Sequence, residues 1–472
     1  MATKTAPPTA NALDITRPAP PGPSLGTHLP ASYVRDVGRL MYFWGWPLVN
    51  MHNRHQMFSK VKDHAIGGAL PFGPLNRITM LTDYIAPEQR SVATPNQDVV
   101  YGAAFFSLEK EPVVVQVPDF GKRFWVFQFL DQRTDTLGGV GAMYGTQPGF
   151  YMVVGPQWKG TAPRGISGVL HSPTNSVFVG PRVFMDDTAE DRQAIRPLVN
   201  QIMSYPLSEF DGTMKTKEWA ELPVTADPGG GGSAGGETKW VKPENYLSDL
   251  RTVLNEVPPL PGEEALYAWF GFMLDTSARD RNVAEGLKQA AVEADNELFK
   301  EIFSYRYAGV PVGNDWVAPM NGAEFGFDYF SRTAAARANI LVNPRRESAY
   351  FSQEYDADRK RLNGANRYTI TFPKGGLPPV KGFWSITMYD TEHFFVPNDT
   401  KRYSVGTKNK DLTFGPDGSL TIYIQHARPE SDVARNWLPA PKEDFEVFMR
   451  AYWADAPILE NRWSPPPVIR SP

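Results

Sequence analysis

The sequence predicts an α+β protein in which two β-rich lobes, sandwich-like or barrel-like, are joined by a helical middle segment. Residues 91–184 and 366–426 contain short apolar runs separated by Gly, Pro and Asp, a pattern typical of strands and turns. Residues 244–342 lie between these stretches and repeat their apolar side chains at the helical period instead. A chain of 472 residues is also too long for one ordinary core, which favours at least two domains.

The N-terminal part begins with a predicted disordered arm over residues 1–30, where Pro recurs and apolar anchors are few. From Ser32 the apolar residues follow the helical period, which predicts a helix that Pro47 kinks or ends. This helix and the first β-rich stretch make up the predicted N-terminal domain, residues 31–225. A short helical pattern returns near its end, over residues 187–204.

A glycine-rich loop is predicted next, over residues 226–240, because glycines this dense cannot hold regular structure. A helical connecting segment follows over residues 241–345, and then a β-sandwich-like C-terminal domain over residues 346–472. A closing helix is predicted at residues 443–453. The clearest predicted strands are 99–108, 111–117, 123–129, 150–155, 176–184, 368–372, 383–390 and 419–426, and the clearest middle helices are 263–277 and 283–303.

One sequence feature recurs in both β-rich stretches with the same spacing. Phe124-Trp125 is followed by Asp131, and Phe383-Trp384 is followed by Asp390. The repeat indicates that the two lobes have related designs, the alternative being chance similarity between alternating strands.

Composition and charge exclude several classes of function. The net charge is −4, which implies no basic face and argues against nucleic acid as a partner. The chain has no cysteine, so thiol nucleophiles, disulfides and thiolate metal sites are excluded. No stretch approaches the roughly 18 uncharged apolar residues of a spanning helix, so no membrane span is expected. The first residues lack the apolar core of a secretory signal.

Several linked stretches spread over most of the chain are distinctive: Thr94–Tyr101, GGETKWV (235–241), LNGANRYTITFP (362–373), LPPVKGFWSITMYD (377–390), RYSVG (402–406), DGSLTIYIQ (417–425), NWLPAP (436–441) and YW…RWSPPPV (452–468). Together they resemble a bacterial family that pairs domain of unknown function 1254, N-terminal, with domain of unknown function 1214, C-terminal. The family typically has Thr where this chain has Val99. The resemblance implies two β-rich lobes and a periplasmic or secreted location, and it implies no agreed activity.

The segment Thr94–Tyr101 supplies the first candidate site. Asn96 and Asp98 are two residues apart, so on an extended chain both side chains point to one face. Tyr101 and Asp98 are candidate catalytic residues, with Tyr101 as general acid or base, and Asn96 is a candidate substrate ligand. The alternative is a turn in which Asn96 and Asp98 cap backbone amides.

A second candidate group lies at the end of the first helix. His52 is a candidate catalytic residue and Asn53 a candidate substrate ligand. His52 and His55 are three residues apart, so the two imidazoles could share a divalent cation on one helix face. No Glu follows His52 and no third ligand is evident, so no metal or other cofactor is predicted; hydrogen-bonded histidines are the alternative.

Two further candidate ligands lie in the second lobe. Arg402 could hold a substrate carboxylate through its planar guanidinium group, and Asp390 stands at the end of a predicted strand. The alternative is structural, with Asp390 in a turn and Arg402 paired to Asp390 or Asp399.

These candidates lead to two functional hypotheses. The first is an enzyme, a hydrolase or lyase, that acts on a hydroxylated or carboxylated substrate such as an oligosaccharide. The second is a non-catalytic ligand-binding or envelope-associated protein. Ser233 stands in a glycine-rich loop that is too flexible to preorganise a nucleophile, and no phosphate-binding loop is present, so a serine hydrolase mechanism and nucleotide use lack support. Edge strands make a homo-oligomer a further expectation.

Overall fold

The computed structural model of the chain describes residues 24–227, 238–430 and 432–471. Most of the predicted arm and of the glycine-rich loop therefore lies outside the described residues. The helices are α1 (Ala31–Phe58), α2 (Ala189–Ala194), α3 (Arg196–Val199), α4 (Tyr246–Glu256), α5 (Glu264–Ser277), α6 (Arg281–Asn296), α7 (Leu298–Glu301), α8 (Tyr329–Ala338) and α9 (Ala456–Leu459). No helix of the described residues is long and apolar enough to cross a membrane.

The strands are β1 (Ala65–Gly67), β2 (Leu70–Phe72), β3 (Thr79–Tyr84), β4 (Val99–Ser107), β5 (Val113–Val117), β6 (Trp125–Asp131), β7 (Val140–Gly141), β8 (Gly149–Val154), β9 (Ile166–His171), β10 (Ser176–Phe184), β11 (Ser204–Pro206), β12 (Val224–Thr225), β13 (Val310–Pro311), β14 (Val317–Ala318), β15 (Ser348–Gln353), β16 (Arg367–Phe372), β17 (Trp384–Asp390), β18 (Ser404–Gly406), β19 (Leu420–Gln425), β20 (Trp437–Pro439), β21 (Phe445–Tyr452) and β22 (Ile469–Ser471). The prediction of two β-rich ends with helices between them is confirmed.

Each lobe is built from two facing sheets around an apolar core. In the N-terminal lobe a five-stranded sheet, in the order β3-β4-β10-β6-β7, faces a four-stranded sheet, β11-β5-β8-β9. In the C-terminal lobe a six-stranded sheet, β13-β14-β15-β21-β17-β18, faces the four-stranded sheet β20-β19-β16-β22. A small sheet, β12-β1-β2, lies beside the N-terminal lobe.

The two lobes share one strand order. Eight consecutive strands of the first lobe, β4 to β11, match the eight consecutive strands β15 to β22 of the second in position and pairing. Each four-stranded sheet even contains one parallel pair, β8 with β9 and β19 with β20. The repeated Phe-Trp motifs fall at the start of the matching strands β6 and β17. The expectation that the two lobes have related designs is therefore confirmed at the level of topology.

The helices form a separate apolar layer in which α1 packs on α4, α6 and α8. Pro47 lies inside α1, which continues to Phe58, so of the two predicted alternatives, a kink or an end of the helix, the end is excluded. Proline has no N–H to donate to the carbonyl four residues earlier, which is that of Phe43. The hydroxyl of Thr333 on α8 donates to this Phe43 carbonyl at 3.0 Å and satisfies it from outside the helix.

The predicted closing helix at residues 443–453 is wrong, because this stretch forms strand β21. Phe445, Phe448, Met449 and Tyr452 follow the helical spacing, which misled the prediction. The strand lies between β15 and β17 in the six-stranded sheet, and all eight of its residues are buried. A central strand with both faces covered loses the apolar–polar alternation by which strands are recognised.

The outer faces of the two larger sheets meet between the lobes. On β10 the residues facing outward include Arg182 and Phe184, and on β21 they include Arg450 and Tyr452. Aromatic contacts, such as Phe124 with Tyr452 at 5.4 Å between ring centroids, join the lobes along one side of this contact.

Candidate functional site

A pocket opens between the two lobes and the end of helix α1. Its free space is about 920 Å³ including the open mouth, of which about 100 Å³ is available to the centre of a water molecule. Most of its wall is apolar, and four of its polar residues, Tyr101, Arg182, Tyr350 and Arg450, are neighbours through strand pairing or hydrogen bonds. The lining residues on which its chemistry depends are Arg54, Phe58, Phe72, Thr94, Tyr101, Ala103, Phe105, Phe178, Gly180, Arg182, Trp240, Leu341, Tyr350 and Arg450.

Arg182 on β10 forms the polar end of the pocket together with Tyr101 on the neighbouring strand β4. The guanidinium carbon lies 5.6 Å from the centroid of the Tyr101 ring, and only 7% of Arg182 is exposed. Its terminal N–H groups donate to Gln128 Oε1 at 2.9 Å, Leu341 O at 3.0 Å, Tyr452 Oη at 3.2 Å, Tyr350 Oη at 3.4 Å and Asn343 Oδ1. Its Nε atom finds no hydrogen-bond partner among the described residues.

Arg450 on β21 reaches the same pocket from the C-terminal lobe. It is 2% exposed and donates to Thr387 Oγ1 at 2.9 Å, to the Thr94 carbonyl at 2.8 Å and to Tyr389 Oη at 2.9 Å. Burial raises the pKa of Tyr389 to about 12, although the Arg450 charge opposes that rise, so the phenol stays neutral beside the guanidinium group.

Both buried arginines are held by neutral acceptors. Neither guanidinium group forms an ion pair with a carboxylate of the described residues. The carboxylate nearest along the hydrogen-bond chain of Arg182 is Glu347, which accepts from Asn343 Nδ2 at 2.8 Å. Burial raises the pKa of Glu347, and its hydrogen bonds and the charge of Arg182 oppose that rise. Buried cations without a carboxylate are costly, which leaves this end of the pocket attractive to an anion.

Tyr101 is the one sequence-predicted residue that faces the pocket directly. Its hydroxyl accepts the backbone N–H of Asn96 at 3.2 Å. Burial raises the pKa of Tyr101 well above its usual range, and the neighbouring Arg182 opposes that rise. The neutral phenol can donate its own proton to a ligand in the pocket.

Asn96 and Asp98 lie close to Tyr101 but behind the pocket wall. Asp98 accepts from Ser385 Oγ at 2.5 Å and from Ser404 Oγ at 2.8 Å, and Lys408 Nζ lies 3.6 Å from its carboxylate. These partners belong to the C-terminal lobe, so Asp98 joins the lobes rather than facing the pocket.

Asn96 forms the turn that the sequence left open as an alternative. Its Oδ1 accepts the backbone N–H of Asp98 at 2.7 Å, and its Nδ2 donates to Tyr452 Oη at 3.1 Å. Asn96 therefore orients two residues of the pocket region, Tyr101 through its backbone and Tyr452 through its side chain.

The histidine end of α1 is a separate structural cluster. His52 Nδ1 bonds to Glu256 Oε2 at 2.8 Å on α4, and Asn53 donates to the Trp240 carbonyl at 2.8 Å and to Asp249 at 3.1 Å. Burial lowers the pKa of His55 to about 4. Across the residues that the structure describes, no three His, Cys, Asp or Glu side chains come together in a way that could hold a metal ion.

Arg402 and Asp390 lie apart from each other and from the pocket. Arg402 donates to the carbonyls of Ala434 at 3.4 Å and Arg435 at 2.6 Å, at a surface cleft, and forms neither of the two predicted ion pairs. Asp390 accepts the backbone N–H groups of Glu392 and Phe394, both at 2.9 Å, and so caps a turn.

The sequence reasoning missed both buried arginines. Arg182 stands in the run SVFVGPRVF, where a cation inside an apolar strand is a recognisable signal. The matching signal for Arg450, in the run EVFMRAYW, is obscured because the apolar spacing of that run predicts a helix.

The comparisons with known proteins agree with the resemblance drawn from the sequence. The family model "Protein of unknown function (DUF1254)" matches residues 75–206, and "Protein of unknown function (DUF1214)" matches residues 347–456. These two matches fall on the two lobes that form the pocket. No curated protein matches the chain.

Two solved structures are similar to the chain. The VPA0106 protein from Vibrio parahaemolyticus is 19% identical, with a TM-score of 0.59, over 93% of this chain and 100% of that chain. An uncharacterized protein from Burkholderia cenocepacia is 11% identical, with a TM-score of 0.42, over 93% of this chain and 94% of that chain. At 19% identity the first likeness concerns the fold alone.

Proposed function

The chain belongs to the protein family that joins DUF1254 to DUF1214, and from that premise we propose that its two domains together bind a small apolar carboxylic acid. The site is the pocket between the lobes. Its carboxylate end is formed by Arg182 and Arg450, one from each lobe.

One observation carries this proposal: two buried guanidinium groups face an apolar pocket without a carboxylate partner. Ordinary folding pairs a buried cation with an anion, because an unpaired charge loses its hydration and gains little in return. A ligand carboxylate would supply the missing negative charge. The planar fork of an arginine matches the two oxygens of a carboxylate. The terminal N–H groups of Arg182 already donate to neutral protein acceptors, so the ligand carboxylate would displace one of these acceptors.

The rest of the pocket fits the apolar part of such a ligand. Aromatic side chains form much of the wall, and the space of about 100 Å³ that is open to the centre of a water molecule limits the ligand to a small one. Three lining residues are arginines, and the described lining residues include no Asp, Glu, Lys or His. The charge of the lining therefore favours an acid over a base.

The enzyme hypothesis, a hydrolase or lyase, stays a prediction. It requires a nucleophile or a general base beside the substrate. Among the described residues that line the pocket, Tyr101 is the best placed proton donor, and no carboxylate or imidazole faces it. Asp98, the predicted partner of Tyr101, bonds to Ser385 and Ser404 instead. We therefore rank binding without turnover first.

Calorimetric titration of the purified chain with matched acids and amides tests the proposal. The probes are 3-phenylpropionate and nonanoate, each beside its neutral amide, with mass spectrometry of the mixtures for product. We expect at least one acid to bind about tenfold more tightly than its amide, because hydrogen bonds to a charged group contribute about 1.5–3 kcal/mol.

A conservative variant links the binding to the site. Arg182→Lys keeps the charge but loses the fork, so we expect it to weaken acid binding, while Arg402→Lys serves as the control in a different cleft. Equal binding of acids and amides, no binding of any acid, or equal effects of the two variants would overturn the proposal. Formation of product would move the function to the enzyme hypothesis.

A further inference from the structure

The shared topology makes individual residues of the two lobes comparable. In the first lobe Val183 pairs with Trp125, and in the second lobe Ala451 pairs with Trp384. Counting back one residue from each of these pairs places Arg182 and Arg450 at equivalent positions.

The neighbouring strand continues the equivalence. Arg182 pairs with Tyr101 on β4, and Arg450 pairs with Tyr350 on β15. Both tyrosine hydroxyls accept a backbone N–H at 3.2 Å from an asparagine, Asn96 for Tyr101 and Asn343 for Tyr350. Each lobe therefore carries the same Arg–Tyr unit, built on the same two strands.

The two units differ two residues further along the central strand. Gly180 on β10 pairs with Gln128, and Phe448 on β21 pairs with Thr387, so Gly180 and Phe448 occupy equivalent positions. Both lie on the same sheet face as the arginine of their lobe, because side chains two residues apart point to the same side. The first lobe thus has no side chain of its own at the position of Phe448, and the ring of Phe178 borders that position, with its Cε1 2.9 Å from where a Cβ of Gly180 would lie.

Phe448 fills the space beside the second Arg–Tyr unit. Its ring centroid lies 4.7 Å from the guanidinium carbon of Arg450, 5.6 Å from the Tyr350 ring and 5.0 Å from the Tyr305 ring. Only a cavity of about 20 Å³ remains there. The pocket of about 100 Å³ lies on the equivalent face of the first lobe, over Gly180 and Ala103.

We propose that the ligand places an aromatic ring over Gly180, in the position that Phe448 holds in the second lobe, with its carboxylate on Arg182. This inference rests on the proposed function and specifies its ligand class as arylalkyl carboxylic acids. A ring at this position makes a cation–π contact with the Arg182 guanidinium group, as the Phe448 ring does with Arg450. A linear alkyl chain has no aromatic face and cannot make that contact. Gly180 is then the residue that sets specificity.

Matched acids test the ligand class. The probes 3-phenylpropionate and nonanoate have the same number of carbon atoms and the same charge. We expect 3-phenylpropionate to bind at least tenfold more tightly in calorimetric titration of the full chain. Equal or tighter binding of nonanoate overturns this inference and leaves the proposed function standing, whereas no binding of either acid overturns the proposed function itself.

Two variants fill the position from different strands. Gly180→Phe copies the second lobe, and its Cβ would meet the Phe178 ring, whose Cε1 lies 2.9 Å away and which lines the same pocket. Ala103→Leu fills the space from the neighbouring strand β4. Gly271→Phe is the matched control, since nothing lies within 4 Å of its Cβ position on α5.

We expect both filling variants to abolish 3-phenylpropionate binding while the control retains it. Circular dichroism and thermal unfolding show whether each variant folds, and Ala103→Leu keeps the test available if Gly180→Phe does not. Unchanged binding of 3-phenylpropionate to a folded filling variant would overturn the placement of the ring.

Discussion

Arg182 and Arg450 occupy the same position in the two lobes, and both point into one pocket without a carboxylate partner. Each extends from the central strand of its larger sheet and is held by neutral acceptors, such as Gln128 for Arg182 and Thr387 for Arg450. The two acceptors are themselves at equivalent positions on β6 and β17. Two copies of one cationic unit therefore converge where the lobes meet, and this convergence creates the candidate anion site.

Tyr101→Phe tests two contacts of the Tyr101 hydroxyl separately: the hydrogen bond from the Asn96 N–H, and the proposed contact with the ligand carboxylate. The variant loses one hydroxyl that accepts the Asn96 N–H, so we expect a loss of unfolding free energy of about 1 kcal/mol. Acid binding should weaken about tenfold if the phenol donates to the carboxylate. Urea unfolding and calorimetric titration measure the two effects, with Tyr423→Phe on β19 as control. Full affinity in Tyr101→Phe would show that the phenol does not touch the ligand.

Asp98→Asn should lower the unfolding free energy strongly and leave acid binding almost unchanged, which is the opposite of the effect expected for Tyr101→Phe. Asp98 accepts from Ser385 and Ser404 and lies beside Lys408, all of them buried in the contact between the lobes. Removing one charge from a buried pair costs about 3–5 kcal/mol of unfolding free energy. Asp98 does not line the pocket. At a temperature where the variant is folded, its affinity for the acid should therefore stay within about twofold of that of the parent chain, a change of well under 1.4 kcal/mol. A stable variant without acid binding would place Asp98 in the site.

Thr333→Val tests how α1 tolerates Pro47. The variant leaves the Phe43 carbonyl without a donor, which should cost about 1–3 kcal/mol of unfolding free energy. In the double variant Pro47→Ala/Thr333→Val the alanine N–H can donate to that carbonyl, so the cost of Thr333→Val should shrink. Urea unfolding of the four proteins gives the coupling. Additive effects would mean that the threonine acts independently of the proline.

The pH dependence of stability should contain a contribution from His55. Burial lowers its pKa to about 4, below that of the unfolded chain, so the folded state favours the neutral imidazole. The unfolded state then binds more protons between pH 4 and about 6.5. The stabilisation is complete above that window and is lost as the pH falls through it.

Comparison with His55→Leu isolates this contribution from those of other groups. The unfolding free energy of the parent chain should fall by about 2 kcal/mol more than that of the variant between pH 6.5 and pH 4.5. Urea unfolding at both pH values measures the difference. Parallel pH profiles for the two proteins would contradict the burial of a neutral His55.

The pH dependence of acid binding should follow the ionisation of the ligand and not the ionisation of a residue in the site. Arginine keeps its charge throughout the accessible range, and burial keeps the pKa of Tyr101 above neutral pH. The affinity for 3-phenylpropionate should therefore be flat from about pH 6 to 9 and fall below about pH 5, where carboxylates take up protons. Calorimetric titration across this range measures it. A midpoint near pH 7 would indicate an imidazole in the site.

The sequence predicts most of the fold because its strands and helices carry local patterns. The run SVFVGPRVF predicts residues 176–184, the bounds that β10 has in the structure. Strand β21 is one exception, since burial on both faces removes the alternation and leaves a helical spacing.

The candidate site is less predictable than the fold. Tyr101, Asn96 and Asp98 come together as their short spacing suggests, but His52 and Arg402 are bound to other parts of the chain. The pairing of Arg182 with Tyr101 depends on strand register, and the approach of Arg450 depends on how the lobes meet. Neither relationship is local in sequence, so no spacing rule could give it.

A crystal structure of the chain with 3-phenylpropionate is the most direct test of the central claim. We predict the carboxylate within hydrogen-bond distance of Arg182 and the phenyl ring over Gly180, between the two lobes. A ligand bound in the surface cleft at Arg402, or an empty pocket between the lobes at saturating ligand, would contradict the claim.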